Sequence, residues 1–157
     1  MIFVTLGTSD YPFTRLLKKL DELVEEKKIK NIKVQCNSEA YKPKNFALVK
    51  TLEKKEYNQY IDDANIIITH GGVGTIIECA KKGKKVIAFP RKAEYAEAKN
   101  NHQEQIINEL EKKGLIITGE ISNLENLIDK VKNTKSKAYK SNNKNFNQKL
   151  CEIIERI

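Results

Sequence analysis

Apolar residues fall along the chain in two alternating rhythms. Short continuous runs come first. Residues 2–6, 32–36, 46–52, 66–68, 86–89 and 115–118 are dense in Ile, Val, Leu and Phe. Runs of this length bounded by turn residues predict buried strands. Between them the spacing changes to three and four. Phe13, Leu16, Leu17, Leu20, Leu23 and Val24 predict a helix with one buried face, opened by Pro12. Short helices are predicted over residues 56–62 and 75–82, the latter stopped by Gly83. Ile106, Ile107 and Leu110 mark a helix that starts near Asn101 and stops at Gly114. Leu124, Leu127, Ile128 and Val131 mark one more. Strands alternating with helices predict an α/β domain, a Rossmann-like doubly wound layer structure with a mainly parallel sheet. This domain spans residues 1–132. Residues 133–145, rich in Lys, Asn and Ser, read as an exposed connector, and residues 146–157 as a C-terminal helix carrying Phe146, Leu150, Ile153, Ile154 and Ile157.

The most informative stretch is residues 66–103. Three isoleucines end in Thr69-His70-Gly71-Gly72-Val73-Gly74-Thr75, and the chain then turns helical through Ile76, Ile77 and Glu78. In open α/β sheets, ligands bind beyond the carboxyl ends of strands. A glycine-rich turn there brings backbone N–H groups close to a ligand, and the helix N-terminus adds about half a positive charge. Phosphate is the natural guest. Thr75 adds a hydroxyl and His70 a ring N–H. Glu78, three residues after Thr75, shares its helix face. A carboxylate one turn behind a phosphate suits two ribose hydroxyls, so the set reads as a nucleotide site. Two rival motifs fail. Gly72-Val73-Gly74 begins a dinucleotide fingerprint, but Ile77 stands where its third glycine belongs. No Gly-Lys-Ser/Thr follows the glycines, which excludes a P-loop.

Composition adds limits. The chain has 157 residues, 39% of them apolar, and no apolar run of the ~18 residues a membrane span needs. Nothing at its start resembles a signal peptide. Cys36, Cys79 and Cys151 lack metal-ligand spacing and fit a reducing compartment. The net charge of +8 comes from dispersed lysines. It fits a solvated surface or attraction to an anionic membrane face. Without an RNA-binding motif or an aromatic stacking platform, nucleic acid is not an expected partner.

The stretch from His70 to Glu78 resembles the donor-nucleotide motif of the C-terminal half of GT-B glycosyltransferases. Gly83-Lys84-Lys85-Val86-Ile87-Ala88-Phe89-Pro90-Arg91 and Asn101-His102-Gln103 continue the likeness. Val4-Thr5-Leu6-Gly7-Thr8, Pro12-Phe13, Arg15-Leu16-Leu17 and Asp21 belong to it as well. It is similar to the glycosyltransferase family 28 C-terminal domain in its stand-alone, PssE/EpsF-type form. That form serves bacterial capsule and exopolysaccharide synthesis and is related to the catalytic subunit of the split eukaryotic enzyme that adds the second GlcNAc to a dolichol-linked sugar. The resemblance implies these roles. Gly7 and Thr8 lie under the diphosphate, and His70, Gly71, Gly72, Gly74 and Thr75 bind phosphate. Glu78 holds the ribose. Arg91, Asn101, His102 and Gln103 approach the donor sugar. It also implies inverting transfer of a hexose from a UDP-sugar, as substrate, to a lipid-linked acceptor, with no cofactor. No metal is expected either, since no Asp-x-Asp occurs and Asp62-Asp63 reads as a helix end. The general base, the acceptor site and the membrane contact would come from a membrane-anchored partner subunit. The protein would then sit in the cytoplasm at the inner face of the membrane. Relatives carry a histidine and two acids where Ala98, Asn100 and Asn101 stand here. The change bears on which sugar is held and on how active the enzyme is. The alternatives from other classes are a non-catalytic nucleotide-binding regulator and a dinucleotide enzyme.

Overall fold

The computed structural model describes residues 1–134. The expected C-terminal helix and all of the connector but Asn133 and Thr134 lie outside the described residues. Strands β1 (Ile2–Thr5), β2 (Ile32–Gln35), β3 (Leu48–Val49), β4 (Ile66–His70) and β5 (Lys85–Phe89) form one parallel sheet in the order β3-β2-β1-β4-β5. Helices α1 (Thr14–Glu25), α2 (Lys54–Asp63), α3 (Val73–Lys81), α4 (His102–Lys112) and α5 (Leu124–Asn133) connect and cover it.

The register explains why the strands read as continuous apolar runs. Phe3 pairs with Ile67, and Ile67 with Val86; one residue on, Val4 pairs with Ile68, and Ile68 with Ile87. Successive residues face opposite sides, so each row fills a different layer. Phe3, Ile67, Val86 and Ala88 meet Ile61 of α2, Ile76 and Cys79 of α3, and Ile107 and Leu110 of α4. Val4, Leu6, Ile68, Ile87 and Phe89 meet Leu16, Leu17 and Leu20 of α1 and Leu124, Leu127 and Ile128 of α5. Helices therefore cover both faces, as the doubly wound reading expects.

Two strands fall short of expectation, for reasons visible in their amides. Instead of spanning residues 46–52, β3 keeps only Leu48 and Val49. Its approach is held elsewhere: the N–H groups of Lys44 and Asn45 both donate to the buried carboxylate of Asp21. Residues 115–118 make a single parallel bridge, Ile117 to Ile87. Leu115 N–H, which a longer ladder with β5 would use, donates back to Leu110 in α4 instead. Two helices at the candidate site start earlier than their apolar spacing predicts. Helix α2 begins at Lys54 and α3 at Val73.

Candidate functional site

The order β3-β2-β1-β4-β5 puts the reversal of winding between β1 and β4. The crevice for a ligand opens there, beyond the strand ends. Gly7 follows β1, and His70 ends β4. Gly7 has φ +72, and a Cβ on it would stand 3.0 Å from His70 Nε2. A Cβ on Gly72 would stand 2.7 Å from His70 Cε1. The imidazole is thus wedged between the backbones of two loops, and only glycine allows both approaches. Gly71 is just as tight: its Cβ would meet Gln103 Cβ at 2.7 Å. Gly74 differs, because nothing lies within 4 Å of the Cβ it lacks.

Helix α3 begins without a cap. Gly72 has no side chain to offer, and no side-chain hydrogen bond closes the end. The first-turn N–H groups of Val73, Gly74 and Thr75 have no partner inside the helix. Together with the dipole they make a local positive field. Thr75 Oγ1 lies 3.3 Å from the Tyr57 hydroxyl of α2. Thr75 and Glu78 then line one cleft of about 380 Å³ with Gly7 and Thr8. Its far side is made by Gln35, Leu52, Lys54 and Tyr57. A bigger hollow of about 570 Å³ lies at the opposite end of the sheet, among Met1, Lys30 and Asn65, away from every strand C-terminus.

His70 is held neutral. Burial, and then the nearby Arg91 guanidinium, push its pKa down to about 4. Its Nδ1 is buried without a hydrogen-bond partner. A neutral ring offers one N–H and one acceptor at the point where the two loops meet.

The residues expected at the donor sugar divide. Gln103 lies at the junction: its Oε1 accepts from Gly71 N–H at 3.1 Å and from Arg91 N–H at 3.0 Å. The carbonyl is thus shared between the two loops. Asn101 Oδ1 accepts from Ala93 N–H at 2.8 Å. His102 is exposed at the first residue of α4. Arg91 is turned away from the cleft. Its side chain is 3% exposed, and Nη2 donates to the Leu6 carbonyl at 2.9 Å, with the Phe13 ring 5.7 Å from Cζ. Here Arg91 lies under the loops and braces them.

Several contributors were not foreseen. Gln35 Nε2 donates to the carbonyls of Gly7 and Lys50, and its Oε1 accepts from the Thr5 hydroxyl, so it ties the loop after β1 to the end of β3. A polar residue at the C-terminal end of an apolar strand was the available signal. Tyr57 gave none, because its place depends on how α2 packs against Phe3.

An amide-lined helix start, an imidazole between two glycine turns and a carboxylate one turn along thus stand together beyond the strand ends. The sequence model of the glycosyltransferase family 28 C-terminal domain matches residues 1–157. The chain belongs to this family. The family 28 domain is the donor-binding part of a glycosyltransferase, and its ligand class is the nucleotide-sugar. No described helix is long and apolar enough to cross a membrane.

Proposed function

We propose that this family 28 domain is the donor-binding catalytic subunit of a split, inverting GT-B glycosyltransferase. It transfers a hexose from a UDP-sugar to a lipid-linked acceptor in capsule or exopolysaccharide synthesis. The reading is that of the PssE/EpsF-type proteins. The observation that carries it is the placement of Glu78. It lines the same cleft as Gly7, Thr8 and Thr75, one helical turn behind the uncapped start of α3. In this reading the free amides of Val73, Gly74 and Thr75 and the N–H of His70 meet the diphosphate, and Glu78 accepts from the ribose hydroxyls. As the sugar leaves, charge grows on the UDP oxygens. Fixed amides already aimed at that place stabilise it with no reorganisation, without calling on a metal or cofactor. An acceptor hydroxyl attacks the anomeric carbon from the opposite face, and a general base takes its proton. The cleft is open to solvent beyond the strand ends. A facing wall must exclude water and orient the acceptor. A membrane-anchored partner subunit would supply that wall, the base and the contact with the inner face of the membrane.

The test is calorimetry with UDP on the purified protein. A hydrogen bond to a charged group is worth ~1.5–3 kcal/mol, so Glu78→Ala should weaken UDP roughly ten- to hundredfold while leaving the fold intact. Equal affinity in the variant removes Glu78 from the site. Transfer from radiolabelled UDP-sugar to membrane lipid, with this protein and the partner separately and together, tests the split. Full activity from this protein alone overturns it.

A further inference from the structure

Thr75 treats its hydroxyl proton differently from other threonines of this protein. Thr69 Oγ1 donates to the Thr5 carbonyl at 2.8 Å, and Thr5 Oγ1 to the Gln35 side-chain oxygen at 2.9 Å. Thr134, just past α5, donates to the Lys130 carbonyl four residues back, at 2.8 Å. Each of those protons goes to a carbonyl oxygen, which can only accept. A bond to a carbonyl three or four residues back is also what a helical threonine commonly makes. For Thr75, third residue of α3, those carbonyls are Gly72 and Gly71, and the Gly72 oxygen accepts from Ile76 N–H. Among the described residues Thr75 has no carbonyl partner. Its Oγ1 meets another hydroxyl, that of Tyr57, at 3.3 Å.

Tyr57 is held in place to reach it. It lies in α2, with its ring edge-on to the fully buried Phe3 of β1, centroids 5.8 Å apart and planes at 72°. A phenol is a stronger donor and a weaker acceptor than an aliphatic hydroxyl, because its oxygen shares electron density with the ring. Tyr57 therefore gives its proton to Thr75, and Thr75 keeps its own proton to give. Both residues line the cleft that holds Gly7, Thr8 and Glu78. Under the proposed donor reading, on which this inference rests, a diphosphate lies there. Its ionised oxygens accept, and a hydroxyl donating to an anion makes one of the stronger hydrogen bonds. The first bond polarises the second, so the chain of two is stronger than either alone. We infer that Tyr57 is a positioning residue for the donor diphosphate: it turns the Thr75 hydroxyl outward, so that Thr75 donates to a phosphate oxygen. Without the phenol, Thr75 is free to turn its proton back onto the carbonyl of Gly71 or Gly72.

Calorimetry with UDP on the full chain, run as a double-mutant cycle, tests this. Tyr57→Phe keeps the ring against Phe3 and should weaken UDP roughly three- to tenfold. Thr75→Val keeps the side-chain shape and should weaken it at least as much. The double variant should stay within about twofold of Thr75→Val, because Tyr57 acts through Thr75. Thr75→Ala gives a second cycle that does not depend on how valine packs at the helix start. Thr75→Ser retains the hydroxyl and should retain the sensitivity to Tyr57→Phe. Uridine, which lacks phosphate, should bind wild type and Tyr57→Phe within about twofold of each other in saturation-transfer NMR titrations. Unchanged UDP affinity in Tyr57→Phe, or losses that multiply in the double variant, overturn the inference. An equal loss of uridine also overturns it and moves Tyr57 to the nucleoside. A wild-type protein that does not bind UDP overturns the donor reading and this inference with it. UDP binding that depends on Glu78 but not on Tyr57 overturns this inference alone.

Discussion

The loop after β4 and the loop after β5 lie side by side at the same end of the sheet, yet they treat their polar groups in opposite ways. The loop after β5 engages nearly all of them internally. Pro90 O accepts from Arg15, Arg91 N–H donates to Gln103, Lys92 N–H to Glu97 and Ala93 N–H to Asn101. The loop after β4 engages its own two amides and leaves those of the helix start that follows it open. Gly71 N–H reaches Gln103 and Gly72 N–H turns back to His70, and there the helix begins with its first donors uncapped. Buried polar groups are normally paired, and open ones beside a cleft are available to a ligand. The contrast separates a brace from a binding surface. Gln103 joins the two, since its one oxygen accepts from both loops.

The largest effect should come from breaking the brace. Glu97 is 2% exposed and holds both Arg15 and the Lys92 amide. Removing one partner of a buried pair costs 3–5 kcal/mol. Arg15 is 26% exposed and can recover some water, so Glu97→Ala should cost about 3 kcal/mol in chemical denaturation. UDP affinity, measured on the folded fraction, should change less than threefold. A tenfold loss of UDP at unchanged stability would mean that Glu97 serves the ligand and would erase the distinction.

The layers were legible because they rest on patterns a sequence carries by itself. Alternate residues such as Phe3 and Val4 fill opposite layers, and the leucines of α1 recur at helical spacing. Of the proposed site, the local part was legible: His70, the glycines, Thr75 and Glu78 lie within nine residues, and the α3 start places them together. The long-range part was not. Gln35 bonding to Gly7, or Arg15 to Glu97, joins residues 28 and 82 positions apart, and no local spacing encodes that. Arg91 is held by contacts of the same long-range kind. An arginine after a strand end invites a ligand role, but the Leu6 carbonyl and the Phe13 ring, both from the β1 side, draw it inward.

A smaller effect should appear on acidification, and it probes the point where the two loops meet. Burial and Arg91 lower the folded pKa of His70 to about 4, against an ordinary value of 6.5. Between those values the unfolded chain binds the proton and the folded one does not, so stability rises with pH across this window and is lost as pH falls. From pH 7 to pH 5 this group alone should remove about 2 kcal/mol. His70→Gln cannot take up that proton. Its stability should therefore decline less over the same interval, in urea titrations of both proteins at the two pH values. Parallel declines would mean that His70 titrates normally and is not enclosed.

The smallest effect on stability should come with the opposite sign, from filling Gly74, an open glycine in helical conformation. At Gly72 an added Cβ would stand 2.7 and 2.9 Å from His70 ring atoms, so Gly72→Ala should destabilise by about 1–3 kcal/mol through overpacking. At Gly74 the added methyl meets nothing within 4 Å, and the residue already lies inside α3. Alanine is the better helix former by up to ~1 kcal/mol, so Gly74→Ala should raise the urea midpoint slightly. By structure alone, then, glycine is the poorer choice at this position. A ligand reverses the preference: a methyl group over the first-turn amides would hold a diphosphate away from them. Gly74→Ala should accordingly be a little more stable and bind UDP about tenfold more weakly, a loss of ~1.4 kcal/mol. A variant that gains stability and keeps its affinity for UDP would show that the open side of Gly74 is only a turn. The diphosphate would then have to be sought nearer Gly7 and His70.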